Sequence, residues 1–275
     1  MSRYRVRHHY RYEYSSAIAD VKQRLIMVPP DRHLVQVLDS FDLDVRGAKG
    51  PVNTAWQTDL FGNRICRVET PWVKHALDFE VWFTAHRIEP SPLVAEPNPE
   101  QLKAYLSFTA LTAPDPRIHS ASLDIAREAS SVRECVDLAH QWAAQSLAYQ
   151  IGVTGTQTPA AMALHLGQGV CQDYAHIMLS LLRCLGVPAR YVSGHLLGEG
   201  APHAWVEVLL TQPCVWLAFD PTHHRRTDAN YITVATGRDY ADVSPTSGVF
   251  SGAATGRLHW SKHAELIEDD AEAAA

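Results

Sequence analysis

Residues 171–185, CQDYAHIMLSLLRCL, constrain this 275-residue chain more than any other stretch. Ala175, Ile177, Met178, Leu179, Leu181, Leu182 and Leu185 make a helix apolar around most of its circumference, and Gly186 followed by Pro188 stops it. A helix without a polar face belongs inside a domain, with other layers wrapped around it. Those layers are legible on both sides. Downstream, Ala189 to Leu197, His203 to Leu210 and Val215 to Phe219 read as consecutive strands. Upstream, Val132, Cys135, Val136, Ala139 and Ala143 mark one face of a helix over 131–147. Thr158-Pro159 reads as an N-cap and first-turn proline that open a helix closing at Gly167. A buried helix is thus expected among strands and further helices.

The first third of the chain has a different period. Tyr4, Val6, His8, Tyr10, Tyr12 and Tyr14 alternate with polar residues, and Val21 to Val28, Val35 to Val45 and Leu77 to His86 carry β-branched or aromatic runs. Turn signals stand between them at Pro29-Pro30-Asp31, Gly47 to Pro51 and Phe61-Gly62-Asn63. Short strands with frequent turns predict an all-β, sandwich-like domain. Four prolines between Pro90 and Pro99 forbid a central strand and predict a stiff linker, with a short helix at Glu100 to Leu106. The expected organisation is therefore two domains: an all-β domain over 1–95, a linker with a short helical segment over 96–125, a core of helices and strands over 126–250, and a partly flexible C-terminal extension over 251–275. Two domains of this size can each bury a core.

Composition excludes several classes. Apolar residues make up 46% of the chain and charged residues 20%, as in an average globular protein. A net charge of -6 gives no general attraction for nucleic acid or anionic lipid, so neither is an expected partner. The basic run from Arg3 to Arg11 is interleaved with tyrosines and reads as alternate residues of a half-exposed strand rather than an RNA-stacking face. No apolar run approaches the roughly 18 residues of a spanning helix, and residues 1–14 hold no hydrophobic segment of the signal-peptide kind. Cytoplasmic location is the resulting expectation. The cysteines Cys66, Cys135, Cys171, Cys184 and Cys214 are odd in number and contain no CxxC pair, which fits neither a disulfide framework nor a structural zinc site.

Of those thiols Cys171 stands where chemistry is favoured. Free N–H groups and the aligned dipole of a helix N-terminus stabilise a thiolate and can also bind an oxyanion. Gly167-Gln168-Gly169 lets the backbone turn sharply before it, while Asp173 works against the thiolate and makes an imidazolium partner more important. His203 opens one predicted strand and Asp220 ends the next, with Pro221-Thr222 stopping the ladder. In two antiparallel strands joined this way the start of one lies beside the end of the other. Asp220 is thus placed to hold one ring nitrogen of His203 while the other faces Cys171, the logic of a nucleophile, base and orienting acid.

Other residues take plainer readings. The remaining four cysteines read as core or incidental, Cys184 most clearly. His8-His9 and His223-His224 suggest no metal, because adjacent strand residues face opposite ways and no carboxylate or cysteine stands at ligand spacing beside either pair. No metal or cofactor is expected. His176 lies off the cysteine's stripe and reads as a buried, hydrogen-bonded histidine. Trp205 shares a face with His203 and either covers the imidazole or fills core. Tyr149 and Gln172 are candidates for lining the cleft or supporting an oxyanion, with packing an equal alternative for Tyr149.

The run Gly169-Val170-Cys171-Gln172-Asp173-Tyr174-Ala175-His176, continued by Leu185-Gly186-Val187-Pro188-Ala189-Arg190-Tyr191-Val192-Ser193-Gly194, resembles the core motif of bacterial transglutaminase-like proteins. His203-Ala204-Trp205-Val206-Glu207, Phe219-Asp220-Pro221-Thr222 and Gly237-Arg238-Asp239-Tyr240-Ala241-Asp242-Val243 resemble three further stretches of that family in the right order. Tyr12-Glu13-Tyr14, Leu25 to Pro30 and Asp59-Leu60-Phe61-Gly62-Asn63 are similar to the all-β domain preceding that core. The resemblance implies a papain-like α+β core over 126–250 in which Cys171, His203 and Asp220 match the catalytic positions. It also implies a peptide or protein amide as substrate, attacked by the thiol to give a thioester. Water resolving that thioester would make a peptidase or amidase, the favoured expectation; an amine acceptor would make an amide-transfer enzyme; a vestigial core would leave only a protein-interaction module.

Overall fold

The computed structural model describes residues 2–89 and 96–267. Residues 90–95 of the expected linker and 268–275 of the expected frayed end lie outside the described residues. The first region contains β1 (Arg3–Tyr14), β2 (Ile18–Val28), β3 (Arg32–His33), β4 (Gln36–Ala48), β5 (Asn53–Thr58) and β6 (Arg64–Arg87). Then come α1 (Pro99–Leu106), α2 (Pro116–Glu128), α3 (Val132–Gln145), β7 (Ala148–Tyr149), α4 (Ala160–Leu166), β8 (Gln168–Gly169) and α5 (Cys171–Cys184). The remainder is β9 (Ala189–Leu196), β10 (Gly198–Glu199), β11 (His203–Thr211), β12 (Cys214–Asp220), β13 (Arg225–Arg226), β14 (Tyr231–Gly237), α6 (Tyr240–Val243), β15 (Thr246–Ser251) and β16 (Gly256–Ile267).

The first sheet is wound on β6, whose first half pairs with β2 and β5 and whose second half pairs with β1 and β4. The tyrosine alternation has its predicted cause: Tyr4, Val6, His8 and Tyr10 of β1 are buried while Arg3, Arg5 and Arg7 face out. The second sheet is five-stranded in the order β13-β12-β11-β9-β14. Helix α5 packs on β11 and β9 and is enclosed on its other sides by α2, α3 and α4. Every residue from Gln172 to Arg183 is buried, as an all-round apolar helix requires.

Three expectations are corrected. The segment assigned to the linker holds α2, capped by the Asp115 carboxylate on the Ile118 N–H at 2.9 Å, with Ile118, Ala121 and Ile125 buried at helical spacing. Pro159 is itself the cap residue of α4, because the Thr158 hydroxyl is spent on the Gly155 N–H at 2.9 Å. The segment set apart as a C-terminal extension instead completes the first sheet, since β16 pairs with β1 along its whole length, from Arg3↔Ile267 to Tyr14↔Gly256; β15, at the end of the span assigned to the core, joins the same sheet beside β2. The edge of β1 offered a row of backbone groups to be satisfied, and β16 satisfies them.

Nor do two separate cores form. One apolar cluster runs from Tyr4 in the first sheet through Leu77 and Phe79 to Ile177, Leu181 and Val206 around α5. Polar groups fasten the same seam. The Gln36 side chain donates to Thr233 O at 2.8 Å and accepts from Thr233 N–H at 2.9 Å, and Asn63 does the same with Thr236 at 2.7 and 2.8 Å. Two side-chain amides thus act as partners for β14, the edge strand of the second sheet. Glu207 of β11, buried, accepts from Arg190 at 2.7 Å and lies 2.9 Å from His33 Nε2 of the first region. Burial alone would raise the Glu207 carboxyl pKa, but the Arg190 and His33 charges hold it down at about 2.

Candidate active site

Cys171 is the first residue of α5, entered from an extended Val170. Its approach is set by a small parallel pair in which Tyr149 of β7 lies beside Gly169 of β8. A side chain at position 169 would put a Cβ 2.7 Å from Asp173 Oδ2, so only glycine lets the chain pass. The Asp173 carboxylate is turned back on the helix start, where Oδ2 accepts from Val170 N–H at 2.8 Å and from the Thr154 hydroxyl at 2.6 Å. Its burial raises its pKa, while these two hydrogen bonds favour the charged form.

His203 and Asp220 meet as the strand argument requires. The β11 and β12 register pairs Val206 with Phe219, and His203 Nε2 lies 2.7 Å from Asp220 Oδ2. That contact leaves Nδ1 as the ring nitrogen available to the thiol. Burial by itself would lower the His203 pKa; hydrogen bonds with Asp220 and Cys171 overcome it and raise the value to about 9. Asp220 is fully buried. Desolvation would raise its pKa, yet hydrogen bonds from His203, Tyr231 and His223 hold it well below the usual carboxylate range. The charged pair is the favoured state of these two residues.

The rest of the cradle was not singled out from sequence. The Tyr231 hydroxyl donates to Asp220 Oδ2 at 2.7 Å and is itself met by Arg225 Nε at 2.9 Å. His223 Nδ1 reaches the same carboxylate oxygen at 2.7 Å, while the N–H groups of Thr222 and His223 donate to Oδ1 at 2.9 and 3.2 Å. His140 Nε2 donates to the Asp220 carbonyl at 3.1 Å. Pro221 is the one signal that pointed here, because the turn it starts folds His223 back over Asp220. This corrects the reading of His223: β12 has already ended at Asp220, so strand alternation no longer applies, and a carboxylate does stand three residues away. His203, Asp220 and His223 bring ligand-type atoms within 4.8 Å of one another, the grouping best suited to a cation among the described residues. Each of those atoms is engaged in a hydrogen bond inside the cluster.

The supporting candidates separate. Trp205 is buried with its ring 6.2 Å from that of His203 and 5.3 Å from that of Tyr231, so it both covers the imidazole and fills core. Gly194 makes the space, since a Cβ there would sit 2.4 Å from the Trp205 ring. Tyr149 is exposed, on the short strand that lies beside Gly169 at the approach to Cys171. Gln172 does not face a cleft: its side chain donates to Gly155 O at 3.2 Å, which commits it to bracing the preceding loop. His176 is fully buried and accepts from Tyr240 N–H at 3.2 Å, as read from the sequence. Arg183, unremarked in the sequence, is buried and donates to Tyr105 O and Arg238 O, tying α5 to its surroundings.

A strand-rich region sharing its seam with an α+β unit, in which a central helix opens on a cysteine beside a histidine and aspartate, defines a two-part protein with a papain-like core. Comparison with known proteins then gives the family. Residues 120–221 match the model of the transglutaminase-like superfamily and residues 4–86 match the bacterial transglutaminase-like N-terminal region. The chain belongs to the transglutaminase-like superfamily. It is 39% identical over 157 residues to an uncharacterized protein of Mycobacterium leprae, covering 54% of this chain and 55% of that protein. An uncharacterized Mycobacterium tuberculosis protein matches at 39% over 115 residues, 37% of each chain. The match thus spans about half or less of these relatives. The crystal structure of a protein named a putative cysteine protease from Cytophaga hutchinsonii superposes with a TM-score of 0.78 at 20% identity, covering 98% of this chain and 92% of that one, and so shares the fold. Among the described residues no helix is long and apolar enough to cross a membrane.

Proposed function

We propose that the protein is a cysteine hydrolase that cleaves an amide bond of a peptide or protein through a thioester on Cys171, with His203 and Asp220 as its partners. The observation that carries this reading is the geometry: Cys171 opens the buried helix α5, and His203 is held by the fully buried Asp220 at 2.7 Å, a contact that also raises the imidazole pKa to about 9. The thiolate attacks the carbonyl carbon, and free N–H groups at the start of α5 stabilise the oxyanion. His203 passes its proton to the departing amine as the C–N bond breaks, leaving a thioester and a neutral imidazole. The imidazole then takes a proton from water as the oxygen attacks the thioester, and the acid and the thiolate are released. Asp220 fixes the ring and stabilises its charge throughout. Water as the acceptor is supported by exposure around the site: Tyr149 is 55% exposed and the His223 side chain 45%, whereas transfer to an amine requires a site closed to water.

The test is incubation with a peptide library and a tagged primary amine, with Cys171→Ala as control. Peptides cut without tag, in a reaction lost with Cys171→Ala, are expected. Tag incorporated in a Cys171-dependent manner would replace hydrolysis by amide transfer. An iodoacetamide reaction at Cys171 no faster than at a model thiol near neutral pH would remove the enzymatic reading altogether.

A further inference from the structure

From Leu138 to Gln172 the chain contains no Asp, Glu, Lys or Arg, although such residues make up 20% of the whole. This uncharged stretch leads directly into Cys171 and holds large apolar side chains in water: Ile151 is 74% exposed, Tyr149 55% and Val153 39%. The loop that carries them is braced. Gln150 N–H donates to Gly169 O at 2.9 Å, the Thr154 hydroxyl to Asp173 Oδ2 at 2.6 Å, and the Gln172 side chain to Gly155 O at 3.2 Å. These bonds wrap residues 149–155 around the first turn of α5, whose first residue is the nucleophile. One exposed apolar residue needs no explanation. Three within five residues, held rigidly beside a reactive sulfur with no charge among them, form a surface prepared for an apolar ligand.

We propose that Tyr149, Ile151 and Val153 form a lip that seats an uncharged, apolar side chain of the substrate beside the scissile amide, so that the enzyme selects peptides carrying leucine-like or phenylalanine-like residues there. The inference rests on Cys171 being the amide-attacking nucleophile and adds the substrate class. A charged side chain on this lip would shed water with no counter-charge in the stretch to replace it. The occupant is a peptide and not a second copy of the chain, because the lip is continuous with β8 and the start of α5 at the sulfur itself.

The experiment uses peptidyl chloromethyl ketones that differ only in carrying Leu, Phe, Glu or Lys at one of the two positions nearest the ketone. Alkylation of Cys171, in which an S–C bond forms and chloride leaves, is followed by intact mass. At one position the Leu and Phe probes should react about tenfold faster than the Glu and Lys probes, the range expected for an apolar subsite. The double variant Ile151→Ser with Val153→Ser should lose that preference while its rate with iodoacetamide is unchanged. Both positions are exposed, so folding is not at stake. Equal rates across the panel, or a preference that survives in the double variant, would overturn the lip while leaving Cys171 as nucleophile. Failure of both the ketones and iodoacetamide to label Cys171 would overturn the enzymatic reading itself. A wild-type dimer by light scattering that becomes monomeric in the double variant with its selectivity intact would identify the lip as a self-association surface and refute the proposal.

Discussion

One oxygen of Asp220 accepts from His203, Tyr231 and His223, and that concentration of donors is why a fully buried carboxyl stays charged. The charge in turn holds His203 protonated. Because the His203 pKa is raised, the pair's contribution to folding is fully present below its ordinary value of 6.5 and is lost as pH rises through about 9. In the proposed mechanism the same titration would set the alkaline limb of activity, since a neutral His203 would have no proton for the leaving amine. In Asp220→Asn the negative partner is gone while burial still disfavours the imidazolium. The alkaline limb of kcat/KM should move down by about one to two pH units, and the rate at its optimum should fall about a hundredfold or more. A pH profile of peptide cleavage measures both. An unmoved limb in Asp220→Asn would show that another group sets it.

At the scale of elements, the helix start at Cys171 depends on a glycine. In Gly169→Ala the new methyl would lie 2.7 Å from Asp173 Oδ2, and either the cap on Val170 N–H or the β7–β8 pair must give way. A loss of about 1–3 kcal/mol in urea unfolding is expected, with slower alkylation of Cys171 as the helix start shifts. Such local demands were partly readable in the sequence. The all-round apolar run of α5, the stops at Gly186 and Pro188, and the strands ending at His203 and Asp220 all have strong one-dimensional signals. Helix α2 carries them too, in Asp115-Pro116 and the Ile118, Ala121, Ile125 stripe. Strand β16 has a broken one: Leu258, Trp260, Ala264 and Leu266 alternate with polar residues, but Lys262 interrupts the series and Gly256 to Ser261 are all exposed, so little burial marks a strand that exists because β1 needs a partner. Tyr231 and His223 were hidden for another reason. Their contact with Asp220 is made by the turn after β12 and by β14 returning across the sheet, which no residue spacing encodes.

Across the whole molecule the two regions share one seam, and its strength is testable through Asn63. Asn63→Ala would leave the N–H and C=O of Thr236 without their partners in a buried strand edge, at a cost of about 2–4 kcal/mol. Thermal unfolding should show that loss, with chromatography revealing self-association through the uncovered edge of β14. The seam also predicts an acid response. His8 and His195 are buried with ring centroids 4.7 Å apart, and none of their four ring nitrogens has a hydrogen-bond partner. Burial, then Lys262 and His9, lower the His8 pKa to about 3, and burial, then His8 and Lys262, depress His195. Both stay neutral in the fold while an unfolded chain takes up protons below 6.5. Stability should therefore fall as pH drops from 6.5 toward about 3, by about 1.4 kcal/mol per pH unit for each histidine. Urea midpoints between pH 7 and 5 measure the slope, which His8→Phe with His195→Leu should flatten.

The pairing of β1 with β16 sets an order of events during translation. Arg3 and Ile267 are register partners, yet the ribosome makes one long before the other. The segments from β1 to β6 emerge first and can wind on one another, but the free edge of β1 must wait while residues 96–251 are made. The papain-like core thus has every strand of its own sheet in hand before the first sheet is closed. The region that leads in the sequence is the last to be finished, and until residue 267 is out it presents an open, aromatic-lined strand edge of the kind that chaperones protect.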